Sequence, residues 1–227
     1  MGAIERVAVI GGTGEEGFGL ATRWAAAGIE IVIGSRVAER AEDAARRLGN
    51  AVRDARAMGR ENHEAAASAD VVVVTVPFAG QAATYKAIRD HIAPDTVVVD
   101  CTAPLASAVG GRPWHTLAVW QGSAAQQAAS LLGDATLCAA FHSLSATSLS
   151  DRDAPLDGDV LACGPRAGKE VVADLVEAMP GLRFVDAGPL DNARLVEPLT
   201  ALLIGLNRRY RTDRAGIRIT GLPDRRP

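Results

Sequence analysis

Residues 6–36 constrain this chain more than any other stretch. They read Arg6-Val-Ala-Val-Ile10, then Gly11-Gly-Thr-Gly-Glu-Glu-Gly17, a helical run, then Ile29-Glu-Ile-Val-Ile33 and Gly34-Ser35-Arg36. An apolar strand runs into a glycine turn, a helix and a second strand, which is one β-α-β unit of a parallel sheet. Gly12, Gly14 and Gly17 fit the spacing G-x-G-x-x-G. The first glycine permits the tight turn, the second lets backbone approach a pyrophosphate, and the third lets the helix pack on the strand. The opening of the helix then offers unpaired amides to phosphate groups.

The end of the second strand indicates which dinucleotide fits. A chain that binds NAD places an acid ~20 residues beyond the turn, on the ribose 2′-hydroxyl. Here Ser35 and Arg36 stand there, with Arg40 one helical turn later. A hydroxyl and a guanidinium suit a 2′-phosphate, because arginine pairs two phosphate oxygens at once. The expected ligand is NADP(H). The alternative is a plain glycine turn with a surface arginine.

With 227 residues, the chain can form one sizeable domain or a domain with a small extension. A net charge of −3 argues against a general nucleic-acid binder. Val7–Ile10 is too short for a secretory apolar run, and no stretch reaches ~18 apolar residues without a charge, so neither export nor a membrane span is expected. Cys101, Cys138 and Cys163 are widely spaced and odd in number, which reads as buried free thiols in a reducing cytosol.

Strands are expected at Val7–Ile10, Ile29–Ile33, Val71–Val76, Thr96–Asp100, Ala135–Ala140, Asp159–Cys163 and Arg183–Asp186. Helices are expected over Gly17–Ala27, Arg36–Leu48 (stopped by Gly49-Asn50), Glu64–Ser68, Gln81–His91, Gly122–Leu132, Ala167–Met179 and Leu195–Tyr210, the longest apolar helical pattern. Ala51–Asn62 reads as a poor strand or a loop, Cys101–Ala118 as irregular, and Asp224–Pro227 as a frayed end. The fold class is α/β, a Rossmann-type mostly parallel sheet with a small C-terminal helical extension. Residues 1–187 would form the NADP-binding domain. Residues 188–227 would be a helix and tail that complete a second-substrate pocket or a dimer interface. Ligands of open parallel sheets sit beyond the carboxyl ends of the strands. That selects Gly11–Gly17, Gly34–Arg36, Val76–Gly80, Asp100–Leu105 and Phe141–Ala146, with Pro77 and Phe78 as an apolar wall for the nicotinamide or a simple strand terminator.

The chain resembles the NADPH-dependent F420 reductases along nearly its whole length. The shared motifs are Gly11-Gly-Thr-Gly14 with Gly17, Ile33-Gly-Ser-Arg36, Val76-Pro77, Ala140-Phe-His142 with Leu144 and Ala146, and Gly216-Ile-Arg218. The most specific is Asp186-Ala-Gly-Pro-Leu190 continuing through Asn192-Ala-Arg-Leu-Val196 to Leu199-Thr200. The resemblance implies hydride transfer between NADP(H) and the deazaflavin coenzyme F420, in a homodimer, and the cysteine usage adds the expectation of a cytoplasmic location. It also implies that Thr13, Gly14, Glu15, Glu16 and Gly17 contact the NADP phosphates, and that Ser35, Arg36 and Arg40 hold the 2′-phosphate. Thr75, Val76, Ala103 and Ala146 would line the nicotinamide side, and His142 would lie near the deazaflavin pocket. Many bacterial members carry a second histidine where this chain has Ser143, and Cys101–Trp120 departs from the family pattern.

Hydride transfer between two cofactor-like rings needs alignment and exclusion of water rather than an acid or a nucleophile. The sequence agrees: it holds no Tyr-x-x-x-Lys pair, G-x-S-x-G elbow or H-E-x-x-H helix. His142, the sole catalytic candidate, would orient or polarise the deazaflavin, or be a satisfied structural histidine. His63, His91 and His115 lack metal-ligand spacing, so no metal is expected. Lys169 reads as a solvated surface lysine. Arg208, Arg209, Arg211, Arg214 and Arg218 decorate a helix C-terminus or meet the acidic tail of F420. The rival readings are an NADPH-dependent reductase of a small imine, carbonyl or metal chelate, and a non-enzymatic NADP(H) sensor.

Overall fold

The structure is a computed structural model, and it describes residues 4–223. The Asp224–Pro227 end lies outside the described residues. Six strands form a parallel sheet: β1 (Arg6–Ile10), β2 (Glu30–Ser35), β3 (Ala57–Glu61), β4 (Val71–Val74), β5 (Val97–Asp100) and β6 (Thr136–Ala139). Their order is β3-β2-β1-β4-β5-β6, so the chain reverses direction across the sheet between β1 and β4. A parallel pair, β7 (Gly158–Ala162) and β8 (Leu182–Asp186), joins the β6 edge through an antiparallel bridge between Ala139 and Cys163.

The helices are α1 (Glu15–Ala26), α2 (Ala38–Ala51), α3 (Asn62–Ala67), α4 (Phe78–Ile88), α5 (Ala124–Leu132), α6 (Ala146–Ser150), α7 (Arg166–Glu177), α8 (Ala193–Val196) and α9 (Pro198–Tyr210). They cover both faces of the sheet, which is why its strands are apolar runs rather than alternating ones. Val7, Val9, Ile31, Ile33, Val71, Val73, Val97 and Val99 pack against Leu20, Trp24, Leu48 and Leu175 on one face. Ala8, Ile10, Val32, Val72, Val74 and Val98 pack against Ala65, Tyr85, Ile88, Ala128 and Val196 on the other. Trp24 donates its indole N–H to Leu175 O at 3.0 Å and meets the Phe141 ring edge-on, which ties α1 to α7 and to the end of β6.

Several sequence expectations are corrected. Helix α2 does not stop at Gly49-Asn50 but continues to Ala51, and Val52 N still bonds Leu48 O at 2.9 Å. Burial of Ala44, Ala45 and Leu48 outweighs the roughly 1 kcal/mol cost of a helical glycine. The ambiguous stretch before Asn62 holds the edge strand β3. Paired strand β4 ends at Val74, two residues before the expected Val76. Helix α4 starts at Phe78, directly after Pro77, three residues earlier than expected. The apolar pattern Leu195–Tyr210 is broken at Pro198, which has no amide to continue the ladder, and α8 begins earlier, at Ala193. Helix α6 lacks a periodic signal because it is a single five-residue turn capped by Ser145.

Lys169 is not solvated: its side chain is 13% exposed and paired with Asp186. All three cysteines are buried and free. His63 and His91, remote in sequence, have ring centroids 5.0 Å apart. No helix among the described residues is long and apolar enough to cross a membrane.

Candidate functional site

The carboxyl ends of β1, β2, β4, β5 and β6 form one edge of the sheet, and the expected site segments all leave from it. At the end of β1 the chain turns at Gly11, whose φ of +82° is disfavoured for any residue with a Cβ. Gly14 N returns to Gly11 O at 2.9 Å. Helix α1 starts at the extended N-cap Gly14, and no side chain caps it. Its first-turn amides are therefore open to an external anion, reinforced by the helix dipole. At Gly17 a Cβ would run into Thr75 Oγ1 and come within 3.0 Å of Gly12 Cα, so the close approach of α1 to β1 and β4 requires glycine there.

Ser35 is the last residue of β2, and its Oγ accepts from Val37 N at 3.3 Å, shaping the turn into α2. Arg36 and Arg40 follow, both exposed and without an ion pair among the described residues. Arg40 and Thr13 border an open basin with Asp43, Arg46, Arg47 and Asn50, and Arg47 stacks over Phe18 at 4.7 Å. Arg46 and Arg47 were not evident from sequence, where they are two of many helical arginines. Arg46 pairs with Asp43, while the unpaired guanidiniums of Arg36 and Arg40 beside an uncapped glycine turn fit a phosphorylated dinucleotide, by donor set and by open backbone.

On the far side of the glycine turn, Thr75 donates to Ile10 O at 3.1 Å, and Val76, Pro77 and Phe78 lead into α4. Ala103 follows β5, and Ala146 opens α6 after β6. The fold thus collects Thr75, Val76, Pro77, Phe78, Ala103 and Ala146 along the same sheet edge as Gly12, Thr13, Gly14, Glu15, Glu16 and Gly17.

Beneath this edge lies a buried acidic network that sequence reasoning missed. Asp100, fully buried at the end of β5, accepts from Gln81 Nε2 at 2.7 Å and from Thr102 Oγ1 at 2.7 Å. Burial pushes its carboxyl up to about 6 against the lowering effect of those donors. The Tyr85 hydroxyl lies nearby without an aligned hydrogen bond. Glu16, half-buried in the first turn of α1, is pushed up to about 8 by burial and by the charge of Asp100. Asp100 ends a predicted strand inside a candidate segment. An acid at the end of an apolar strand was the signal available in the sequence.

His142 follows Phe141, whose φ of +69° places a bulky buried residue in the left-handed region. His142 is 5% exposed, and neither ring nitrogen has a hydrogen-bond partner among the described residues. Burial lowers its pKa to about 4, so the ring is neutral near pH 7. The His142 carbonyl accepts from Thr200 Oγ1 at 2.8 Å. Of the C-terminal arginines, Arg208 stacks on Trp114 at 4.3 Å, Arg214 pairs with Asp151 at 2.8 Å, and Arg218 pairs with Asp157 at 3.3 Å.

Residues 6–104 match the family model described as NADP oxidoreductase coenzyme F420-dependent. The F420-dependent NADP reductase of Methanothermobacter thermautotrophicus is 46% identical over 97% of this chain and 97% of its own length. The chain belongs to the F420-dependent NADP reductase family. A second family member, from Methanothermobacter marburgensis, is 42% identical over 96% of this chain and 100% of its own. A crystal structure from Arthrobacter sp. FB24, provisionally described as an F420-dependent NADP-reductase, superimposes with a TM-score of 0.81 at 22% identity, covering 96% of this chain and 100% of that one. At that identity the superposition speaks for the fold.

Proposed function

We propose that this protein transfers a hydride between NADP(H) and the deazaflavin coenzyme F420. The observation that carries the reading is membership of the F420-dependent NADP reductase family over almost the entire chain. When both are bound, the nicotinamide and deazaflavin rings supply the redox chemistry themselves: NADPH and a proton reduce F420 by two electrons, leaving NADP+.

The residues of this chain bind, orient and enclose. The Gly14–Gly17 amides and Thr13 hold the pyrophosphate, while Ser35, Arg36 and Arg40 hold the 2′-phosphate. Thr75, Val76, Pro77, Phe78, Ala103 and Ala146 wall the nicotinamide side. His142 orients the second ring as a neutral donor rather than as a cation, because its site disfavours protonation. Residues 1–187 form the NADP-binding unit, and 188–227 complete the second-substrate side or the dimer interface. Exposed Leu195 and Leu202 on the C-terminal helices support a homodimer, and three buried free thiols support a reducing cytoplasm. The net charge of −3 favours small-molecule partners over nucleic acid.

The test is to mix the protein with NADPH and oxidised F420 and follow deazaflavin absorbance. Bleaching with stoichiometric NADP+ is expected. NADPH binding without bleaching would refute the F420 assignment.

A further inference from the structure

Glu197 stands between α8 and Pro198, and it is 1% exposed. No arginine or lysine pairs with it among the described residues. Its carboxylate is held by backbone: Ala124 N donates to Oε2 at 2.8 Å and Ala125 N donates to Oε1 at 2.9 Å. These are opening amides of α5, donors that a helix cannot satisfy internally. The same helix already has a local cap, since Ser123 Oγ accepts from Gln126 N at 3.0 Å. Helix α5 is thus capped twice, the second time by a buried acid from the C-terminal segment.

A buried carboxylate facing only neutral donors is costly to fold around. Its placement gives a reason to keep it. Three residues on, Thr200 bonds the carbonyl of His142 at 2.8 Å. The short stretch 197–200 therefore grips two segments at once. One is 122–125, where the irregular connection after β5 enters α5. The other is the strained turn at 141–142 after β6. Gln81 ties the first segment from another side, since its Nε2 bonds both Ala124 O at 3.0 Å and Asp100 at 2.7 Å. Both gripped segments flank the site on the side assigned to the second substrate, away from Ser35 and Arg36.

We propose that Glu197 is a positioning residue for the second substrate, holding the α5 entrance and the His142 turn at a fixed spacing without touching either ligand. The proposal rests on the F420 reading above. The grip depends on the ionised form, because both oxygens are used as acceptors. The groups facing Glu197 are Asp100 from β5, Ser123 of the α5 cap and Cys163 beyond β7, with Lys169 and Asp186 paired to each other behind Cys163. Burial, with the charge of Asp100 adding, holds the Glu197 carboxyl at about 7 against the pull of the two amides. Protonation below that range weakens the grip.

Steady-state kinetics on E197Q, which keeps the volume but sets an amide N–H against a backbone N–H, tests this. A rise of about tenfold in KM for F420 is expected, the effect of one lost charge-assisted hydrogen bond. The Kd for NADPH and kcat should stay within about twofold, on the scale of less than 0.5 kcal/mol. Wild-type KM for F420 should fall as pH rises through 7, and that dependence should vanish in E197Q.

Ala124→Pro provides an independent variant. It deletes one donor at a helix position that tolerates proline and leaves the acid in place, and it should raise the same KM. A folded E197Q with unchanged KM for F420, or with both affinities falling in parallel, would overturn the proposal and leave the F420 reading standing. A wild-type enzyme that turned over no F420 would overturn both.

Discussion

Gln81 Nε2 lies 2.7 Å from Asp100 Oδ2, and both side chains are fully buried. The bond joins α4 to the end of β5 directly beneath the proposed nicotinamide side. Thr102 Oγ1 fills the other oxygen at 2.7 Å, so the carboxyl has neutral donors and no cation. Its pKa is raised from 3.8 to about 6, chiefly by burial. A raised folded pKa means that the protonated acid is favoured in the fold. Its stabilising contribution is complete below about pH 4 and disappears as pH rises through 6. Two pKa units correspond to roughly 3 kcal/mol. Urea unfolding of wild type and Asp100→Asn between pH 4 and 7 should show a slope in wild type that is shallower in the variant by the Asp100 share, the raised Glu16 and Glu197 carboxyls keeping theirs.

Cofactor choice should depend on Arg36. It is exposed and unpaired at the carboxyl end of β2, so its removal disturbs no fold contact. Arg36→Ala should weaken NADPH by about 1.5–3 kcal/mol, the scale of a lost charged hydrogen bond, with NADH nearly unchanged. Titration calorimetry with the two nucleotides separates these outcomes. Equal weakening of both would refute the 2′-phosphate assignment.

The nucleotide half of the candidate site could be drawn from sequence because its segments are local. The glycine turn, the Ser35-Arg36 ending and the apolar strands all lie within single β-α-β spacings, and the parallel topology then brings Val76, Ala103 and Ala146 to the same edge. What the sequence hid is what the fold makes from remote parts. Glu197 meets Ala124 and Ala125 across more than 70 residues. Thr200 meets His142 across 58. No period or motif encodes such pairs. Lys169 hides its burial for the same reason: it lies on α7, and its partner Asp186 ends β8. Helix ends were misplaced where tertiary burial overrode a local breaker, as Leu48 does for Gly49 in α2.

Gly17 tests the close packing under the glycine turn. A methyl group there displaces Thr75 Oγ1, which must leave its bond to Ile10 O, and presses on Gly12 Cα. Gly17→Ala should lower stability by about 1–3 kcal/mol, as overpacking does, and weaken NADPH and NADH together because the turn itself shifts. Pairing it with Thr75→Ala should restore part of the stability. Thermal unfolding of the single and double variants gives the coupling, and strict additivity would refute the contact.

The C-terminal tail should be held by one buried pair. Arg183 donates through Nε to Asp159 Oδ1 at 2.9 Å and through Nη2 to Oδ2 at 2.7 Å, and Asp159 is 1% exposed. Oδ2 also accepts from Ile219 N at 2.6 Å, while Asp159 N donates to Ile217 O at 2.7 Å, so the tail is fastened beside β7. The Arg183 guanidinium and the Ile219 amide outweigh burial and hold the Asp159 carboxyl below its usual range. The sign is opposite to that of Asp100: the stabilisation is present at neutral pH and is lost as pH falls through the depressed value. Asp159→Asn removes the charge that the Arg183 Nε and Nη2 donors and the Ile219 amide share, which should cost about 1.5–3 kcal/mol, the scale of hydrogen bonds to a charged group. Limited proteolysis should then cut within 211–219 in the variant and not in wild type at pH 7. If wild type is cut at the same rate, the pair does not anchor the tail.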